Sequence, residues 1–376
     1  MKKALLCAIL ILSTLLSGCQ KYREVENLAY VIVLGVDLLD NGDIQIAALI
    51  PKITGEPSSD SEGAPDSGHR VYAAAEKTFD AALERLRWVV PRNVDLSQVK
   101  LIVLSERLAR SGQFMSIAYS MMDTYHLYTA ARLAVCAGDT LKFIQSETGL
   151  LGSRIATDLE AMFNHYANHA FIPDVQFADV FYKSVSIYSD PLAIYSTSGP
   201  AEEVEAAAAL IAPQTNDREG DVQPQINRFL GSCVFKKSVM VGTLSAEETL
   251  FCKLLRGKPQ SFPLLLGIET LYLSMATPPM IEVDTDSDPV QIRIDLQLSL
   301  QTRSERVDTD VIRALLTNQM LAAIDRCKRM GVEPFQFAEV AARNFLSIGD
   351  WLAYDWSARF PDSEIELNIE IRDQAG

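Results

Sequence analysis

Leu28 to Asp37 (LAYVIVLGVD) is a β-branched run ending Gly35-Val36-Asp37, and Asp43 to Pro51 (DIQIAALIP) alternates apolar with polar residues. Between them stands Asp40-Asn41-Gly42, a turn signal that folds two strands into a hairpin. Outward from this pair, Arg70 to Ala73 reads as a strand leading into a helix over Ala75 to Trp88, whose Phe79, Leu83 and Leu86 keep helical spacing. Lys100 to Leu104 (KLIVL) is a further strand, followed by helix from Glu106 to about Tyr128 with a break near Gly112, and Arg132 to Cys136 is a short strand. Helices are expected over Leu151 to Ala167 and Gln176 to Tyr182, and a strand over Pro191 to Tyr195. Alternating strands and helices predict an amino-terminal α/β domain.

Two segments interrupt the pattern. Thr54 to His69 is rich in Pro, Gly, Ser and acids and has no apolar period, as a loop would. Pro213 to Pro224 (PQTNDREGDVQP) is equally polar and marks the expected domain boundary. Beyond it the pattern changes. Asn227 to Lys236 and Met240 to Leu244 read as strands around a tight Lys237-Ser238 turn. Ser245-Ala246-Glu247-Glu248 has the form of a capping box opening a helix that runs to about Leu255. Strands follow near Phe262 to Leu266, Leu271 to Met275, Met280 to Asp284 and Val290 to Thr302. Val307 to Met330 is a long amphipathic helix closed by Gly331, and shorter helices follow over Phe335 to Asn344 and Ile348 to Phe360. Glu364 to Arg372 (EIELNIEIR) alternates strictly and is expected to lie antiparallel to the Val290 strand. The fold class is therefore α+β, or mixed α/β, in several domains. Residues 28–200 form an amino-terminal α/β domain, 201–226 a linker, and 227–376 a carboxy-terminal domain of antiparallel sheet plus helices, with a further split possible near 260–275.

The first residues assign a compartment. Met1-Lys2-Lys3 is basic, and Ala4 to Leu16 is an apolar run of thirteen residues, shorter than the roughly 20 that span a bilayer. Leu16-Ser17-Gly18-Cys19 then places small residues before a cysteine. This resembles the bacterial lipoprotein signal, in which the cysteine thiolate takes a diacylglyceryl group and becomes the first residue of the mature chain. Residues 1–18 are thus expected to be a lipoprotein signal peptide, Cys19 the lipid-attachment residue and 19–27 a short tether. The mature protein would hang from a bilayer on its extracytoplasmic face. Leu264 to Leu273 is short, is interrupted by Gly267, Glu269 and Thr270, and reads as strand.

The chain carries 34 basic and 49 acidic residues, a formal charge of −15. An acidic surface repels phosphate backbones, so nucleic-acid binding is not expected. The densest basic stretch, Arg326-Cys327-Lys328-Arg329, reads as the cationic end of a helix. Cys136, Cys233, Cys252 and Cys327 make no CxxC pair and are expected as buried thiols rather than a Cys233–Cys252 disulfide. His165 and His169 share one face of a helix with Glu160 a little over a turn earlier. That geometry can hold a metal, but no third ligand is specified, and a polar helix face is the reading adopted. Glu202-Glu203 and Glu247-Glu248 read as acids at helix starts, and Trp351, Tyr354 and Trp356 as core. There is no GxGxxG, Walker loop, GxSxG or HExxH. No catalytic residue, metal or cofactor is expected; the chemistry points to binding or assembly.

Several segments in order resemble the Ger(x)C family of spore germination lipoproteins. After Cys19 come Arg23-Glu24-Val25, Asn27-Leu28-Ala29 and the strand ending Gly35-Val36-Asp37. Gly231-Ser232-Cys233-Val234-Phe235-Lys236, Val241-Gly242-Thr243-Leu244-Ser245 and Glu248-Thr249 are similar to the family's Gly-x-Ala-Val-Phe-Lys hairpin, Val-Gly-x-Leu and Glu-Thr. Pro334-Phe335, Phe337, Trp351, Trp356, Phe360 and the Glu364 strand match its tail. The family's Trp-Asp after the cysteine is replaced by Gln20-Lys21, the loop at 54–69 is long for the family, and Cys233 stands for a small residue. The resemblance implies the C subunit of a nutrient germinant receptor: a lipoprotein of the spore inner membrane, without catalysis, assembled with integral-membrane A and B subunits. A solute-binding lipoprotein of a transport system is the alternative, and a hydrolase with an unrecognised site a third reading.

Overall fold

The computed structural model describes residues 27–52, 68–147, 155–168, 172–197, 228–258, 261–266, 269–301 and 308–373. Cys19, His169, Glu202-Glu203 and the 201–226 segment lie outside them. In chain order the elements are β1 (Leu28–Tyr30), β2 (Val33–Leu38), β3 (Ile44–Pro51), β4 (His69–Glu76), α1 (Phe79–Val89), β5 (Asn93–Asp95), β6 (Leu101–Ser105), α2 (Glu106–Arg110), α3 (Phe114–Tyr119), β7 (Arg132–Cys136), α4 (Thr140–Glu147), α5 (Ile155–Asn168), α6 (Phe177–Ser184) and β8 (Leu192–Thr197). They continue with β9 (Arg228–Lys236), β10 (Val239–Leu244), α7 (Ala246–Leu255), β11 (Ser261–Leu266), β12 (Glu269–Met275), β13 (Met280–Asp284), β14 (Gln291–Leu300), α8 (Thr309–Met330), α9 (Phe337–Ala341), α10 (Ile348–Tyr354), α11 (Trp356–Arg359) and β15 (Glu364–Asp373).

Eight strands form one sheet in the order β10-β9-β8-β7-β6-β2-β3-β4. The central strands β8, β7, β6 and β2 run parallel, and antiparallel hairpins extend both flanks. Alternation sends Ile102, Leu104, Leu133 and Val135 to one face, where α1, α2, α3 and α6 pack. Leu101, Val103, Ala134 and Cys136 go to the other, against α4 and α5. Covering both faces explains why these strands read as near-continuous apolar runs.

The second sheet contains β11, β12, β13, β14 and β15. β15 pairs along all of β14, from Gln291↔Glu364 to Leu300↔Asp373. On its other edge β14 pairs with β13 over Gln291–Asp295 and with β12 over Leu298–Leu300. The buried stripe of α8 (Ile312, Leu316, Met320, Ala323, Ile324, Cys327) covers this sheet.

Several sequence expectations change. β15 is parallel to β14, not antiparallel: the chain returns to the same end through α8 to α11, the long crossover a parallel pair requires, and alternation reports a face, not a direction. The break expected near Gly112 is present, with Gly112 at φ +78° between α2 and α3, but the second helix ends at Tyr119 and a π-turn over Ser120–Thr124 follows, short of Tyr128. The helix expected from Ala75 starts at Phe79; Ala75 and Glu76 finish β4, and Thr78 caps α1 through its hydroxyl. The hairpin after the polar segment joins the amino-terminal sheet: β9 pairs with β8, from Thr197↔Arg228 to Leu192↔Val234. The segment at 201–226 thus separates stretches of sequence without separating sheets. The expected buried thiols are found, with Cys136, Cys233, Cys252 and Cys327 all inside and none in a disulfide.

Candidate functional site

The two halves meet at β9. Cys233 and Phe235 pack into the amino-terminal core, whereas Val234 between them packs into the carboxy-terminal core. One strand therefore faces two cores, and its sequence must be apolar on both sides. Gly231 begins this stretch at φ +121°, where a Cβ would stand 2.4 Å from the Leu244 carbonyl oxygen; only glycine fits. Ser232 and Thr249 share a buried hydroxyl hydrogen bond of 2.8 Å that ties β9 to α7. The capping box read from sequence is present: Ser245 Oγ accepts from Glu248 N at 3.1 Å, and Glu248 Oε2 accepts from Ser245 N at 2.8 Å. Arg326 of α8 then donates to both oxygens of Glu248, at 3.0 and 2.8 Å.

A polar clasp closes the seam. Asp190 Oδ2 accepts from Glu333 N at 2.9 Å and from Lys236 Nζ at 3.2 Å, while Asp190 N donates to the Glu333 carbonyl at 3.2 Å. The Glu333 carboxylate, 4% exposed, accepts from Phe335 N at 2.7 Å and Ala338 N at 3.1 Å. Burial pushes its pKa up to about 7, against the pull of those N–H groups and of Arg256. Arg256 Nε donates to the Pro334 carbonyl at 2.6 Å. Burial, and then Arg256 nearby, lowers Lys183 to about 8. Lys253 of α7 is buried and lowered to about 8, chiefly by desolvation, and donates to the carbonyls of Ile172 (3.2 Å) and Ala167. Trp351 Nε1 donates to the Ile187 carbonyl at 3.2 Å. A cavity of about 220 Å³ beside the clasp touches Tyr188, Trp351, Trp356 and Phe360, and Nε1 of Trp356 is buried without an acceptor.

A second, open crevice of about 660 Å³ lies beyond the carboxyl ends of β2, β6 and β7, where parallel sheets commonly bind ligands. Several of its polar groups are engaged locally, while Asp37 Oδ1 is buried without a hydrogen bond. Ser105 Oγ accepts from Leu108 N at 3.2 Å and Leu38 N at 3.4 Å. Asp139 caps α4 by accepting from Leu141 N at 2.8 Å and Lys142 N at 3.2 Å. Asp37 faces Arg107 Nη2 at 3.7 Å. This arrangement braces the strand ends.

Of the residues weighed from sequence, Glu160 pairs with Lys100 at 2.7 Å, and no three potential ligands converge among the described residues. Trp351, Tyr354 and Trp356 pack with Phe345 and Phe360 as core. The clasp was missed: Asp190 and Glu333 are lone acids far apart in sequence. Each is followed by a proline, Pro191 and Pro334, the local sign of a turn. No helix among the described residues is long and apolar enough to cross a membrane.

Comparison with known proteins fits this architecture. Residues 21–197 match the model of the spore germination protein N-terminal domain. Residues 230–372 match that of the spore germination B3/GerAC-like C-terminal domain. The crystal structure of the GerBC protein superposes with a TM-score of 0.52 at 12% identity, covering 91% of this chain and 96% of that one. No curated protein matches the sequence. With both of its halves matched, in order and over most of its length, the chain belongs to the GerAC-like family of spore germination proteins.

Proposed function

We propose that this protein is the membrane-anchored C subunit of a spore nutrient germinant receptor. It is held through acylated Cys19 on the extracytoplasmic face of the spore inner membrane and signals by contact with the integral-membrane A and B subunits. The observation that carries this reading is the matched pair of family regions placed directly after a lipoprotein-type signal. The seam supports it over a solute-binding lipoprotein. Solute capture of that kind works by hinge closure of two lobes, and here β9 belongs to both cores while the Asp190–Glu333 clasp locks them.

The test is Cys19→Ala in the native host. The variant should leave the membrane fraction and slow nutrient-triggered germination, without changing germination by agents that bypass the receptor. Normal nutrient response from a fully unanchored protein would refute the proposal.

A further inference from the structure

The acidity of the chain is uneven. Residues 85–92 read Arg-Leu-Arg-Trp-Val-Val-Pro-Arg, three cations without an acid. α1 ends here. Its Leu86, and Val90 just beyond, are buried in the amino-terminal core, but Trp88 is 85% exposed and Val89 56% exposed. Burying a tryptophan is among the largest single gains a side chain can make, so nothing in the fold accounts for leaving this one in water. Arg85 and Arg87 make exposed ion pairs with Glu76 (2.6 Å) and Glu84, which are weak enough to exchange partners. Arg92, Lys52 and Arg70 line a shallow cavity with Ala29.

The position matters as much as the composition. β5 begins at Asn93, directly after this cluster, and Asn93 pairs with Leu28, the start of β1. The exposed tryptophan thus lies five residues before the strand that pairs with the start of the described chain after Cys19. Leu28 is nine residues beyond Cys19, a span of at most about 30 Å.

We propose that this end of the molecule is a membrane-docking surface: Trp88 and Val89 enter the headgroup region of an anionic bilayer, and Arg85, Arg87, Arg92, Lys52 and Arg70 lie among its phosphates. The inference rests on anchoring at Cys19 and adds an orientation to it. Tryptophan concentrates at membrane–water interfaces, and each basic residue near an anionic surface contributes about 1 kcal/mol. A tether alone lets a globule tumble; this surface fixes which side faces the lipid.

The acylated full chain is reconstituted into phosphatidylglycerol–phosphatidylethanolamine vesicles with and without brominated acyl chains, and tryptophan emission is read. Trp351 and Trp356 are buried, so the difference between wild type and Trp88→Phe isolates Trp88. Brominated lipid should quench the Trp88 signal by about half, as expected of an interfacial ring, and acrylamide should reach it less than in detergent. Arg85→Glu with Arg92→Glu should restore acrylamide access while the chain still floats with the vesicles. Flotation with no bromolipid quenching overturns the docking surface and leaves the anchor standing. Failure to float overturns both. Shielding of Trp88 that needs the multi-span subunits and persists in detergent assigns the patch to a protein partner and overturns the lipid assignment.

Discussion

Trp351 and Trp88 occupy opposite regimes of one chain. Trp351 is buried in the seam, stacked near Tyr188 and Tyr354, with its Nε1 hydrogen bonded to the Ile187 carbonyl. Trp88 stands in solvent at the end of α1. The seam largely explains itself by folding: apolar area leaves water and most buried polar groups find partners. The leading end does not, since its largest apolar side chain gains nothing from the fold. Where packing accounts for a residue, its role ends with stability; where packing fails to account for it, the residue is available for a surface outside the chain.

The largest effect that can break this contrast is Gly231→Ala. With φ at +121° and the Leu244 carbonyl 2.4 Å from the new Cβ, the backbone must shift, and the loss should reach about 3 kcal/mol or more. Urea unfolding measures it; a loss below about 1 kcal/mol would mean that β9 is not the rigid link between the cores.

Next comes pH. Glu333 holds its proton to about pH 7 in the folded chain, against the ordinary glutamate value of 4.5. Between those values the native state binds a proton that the unfolded chain has released. Stability therefore falls as pH rises through this window, by on the order of 3 kcal/mol. Glu333→Gln should flatten that slope between pH 5 and 7.5. An equally steep decline in the variant would place its origin elsewhere.

The smallest effect belongs to Trp88→Ala, which should change stability by less than about 0.5 kcal/mol. A loss above about 1.5 kcal/mol, the scale of a buried side chain, would mean that Trp88 packs after all and would erase the contrast.

Much of the architecture is written in local pattern. The first hairpin, the Ser245–Glu248 box, the long helix ending at Gly331 and the buried aromatic tail follow from spacing and capping that neighbouring residues determine. Pairing between distant strands does not. The alternation in Glu364 to Arg372 identifies a half-buried strand but cannot say that α8 reverses the approach and makes it parallel. The polar run before Asn227 looks like a boundary, yet β8 and β9 pair across it because their apolar faces are complementary in space. Asp190 and Glu333 lie 143 residues apart, so their mutual satisfaction leaves no trace in either neighbourhood. Trp88 was legible as the last residue of a helix, outside the Phe79, Leu83, Leu86 stripe.

The double allegiance of β9 bears on how such a protein can be divided. A gene cut within 201–226 would give a first polypeptide ending on β8, with a bare edge open to stray pairing, while the second would carry the two missing strands. The pieces would be complementary rather than autonomous, and co-expression, not separate refolding, would be the way to recover the native sheet.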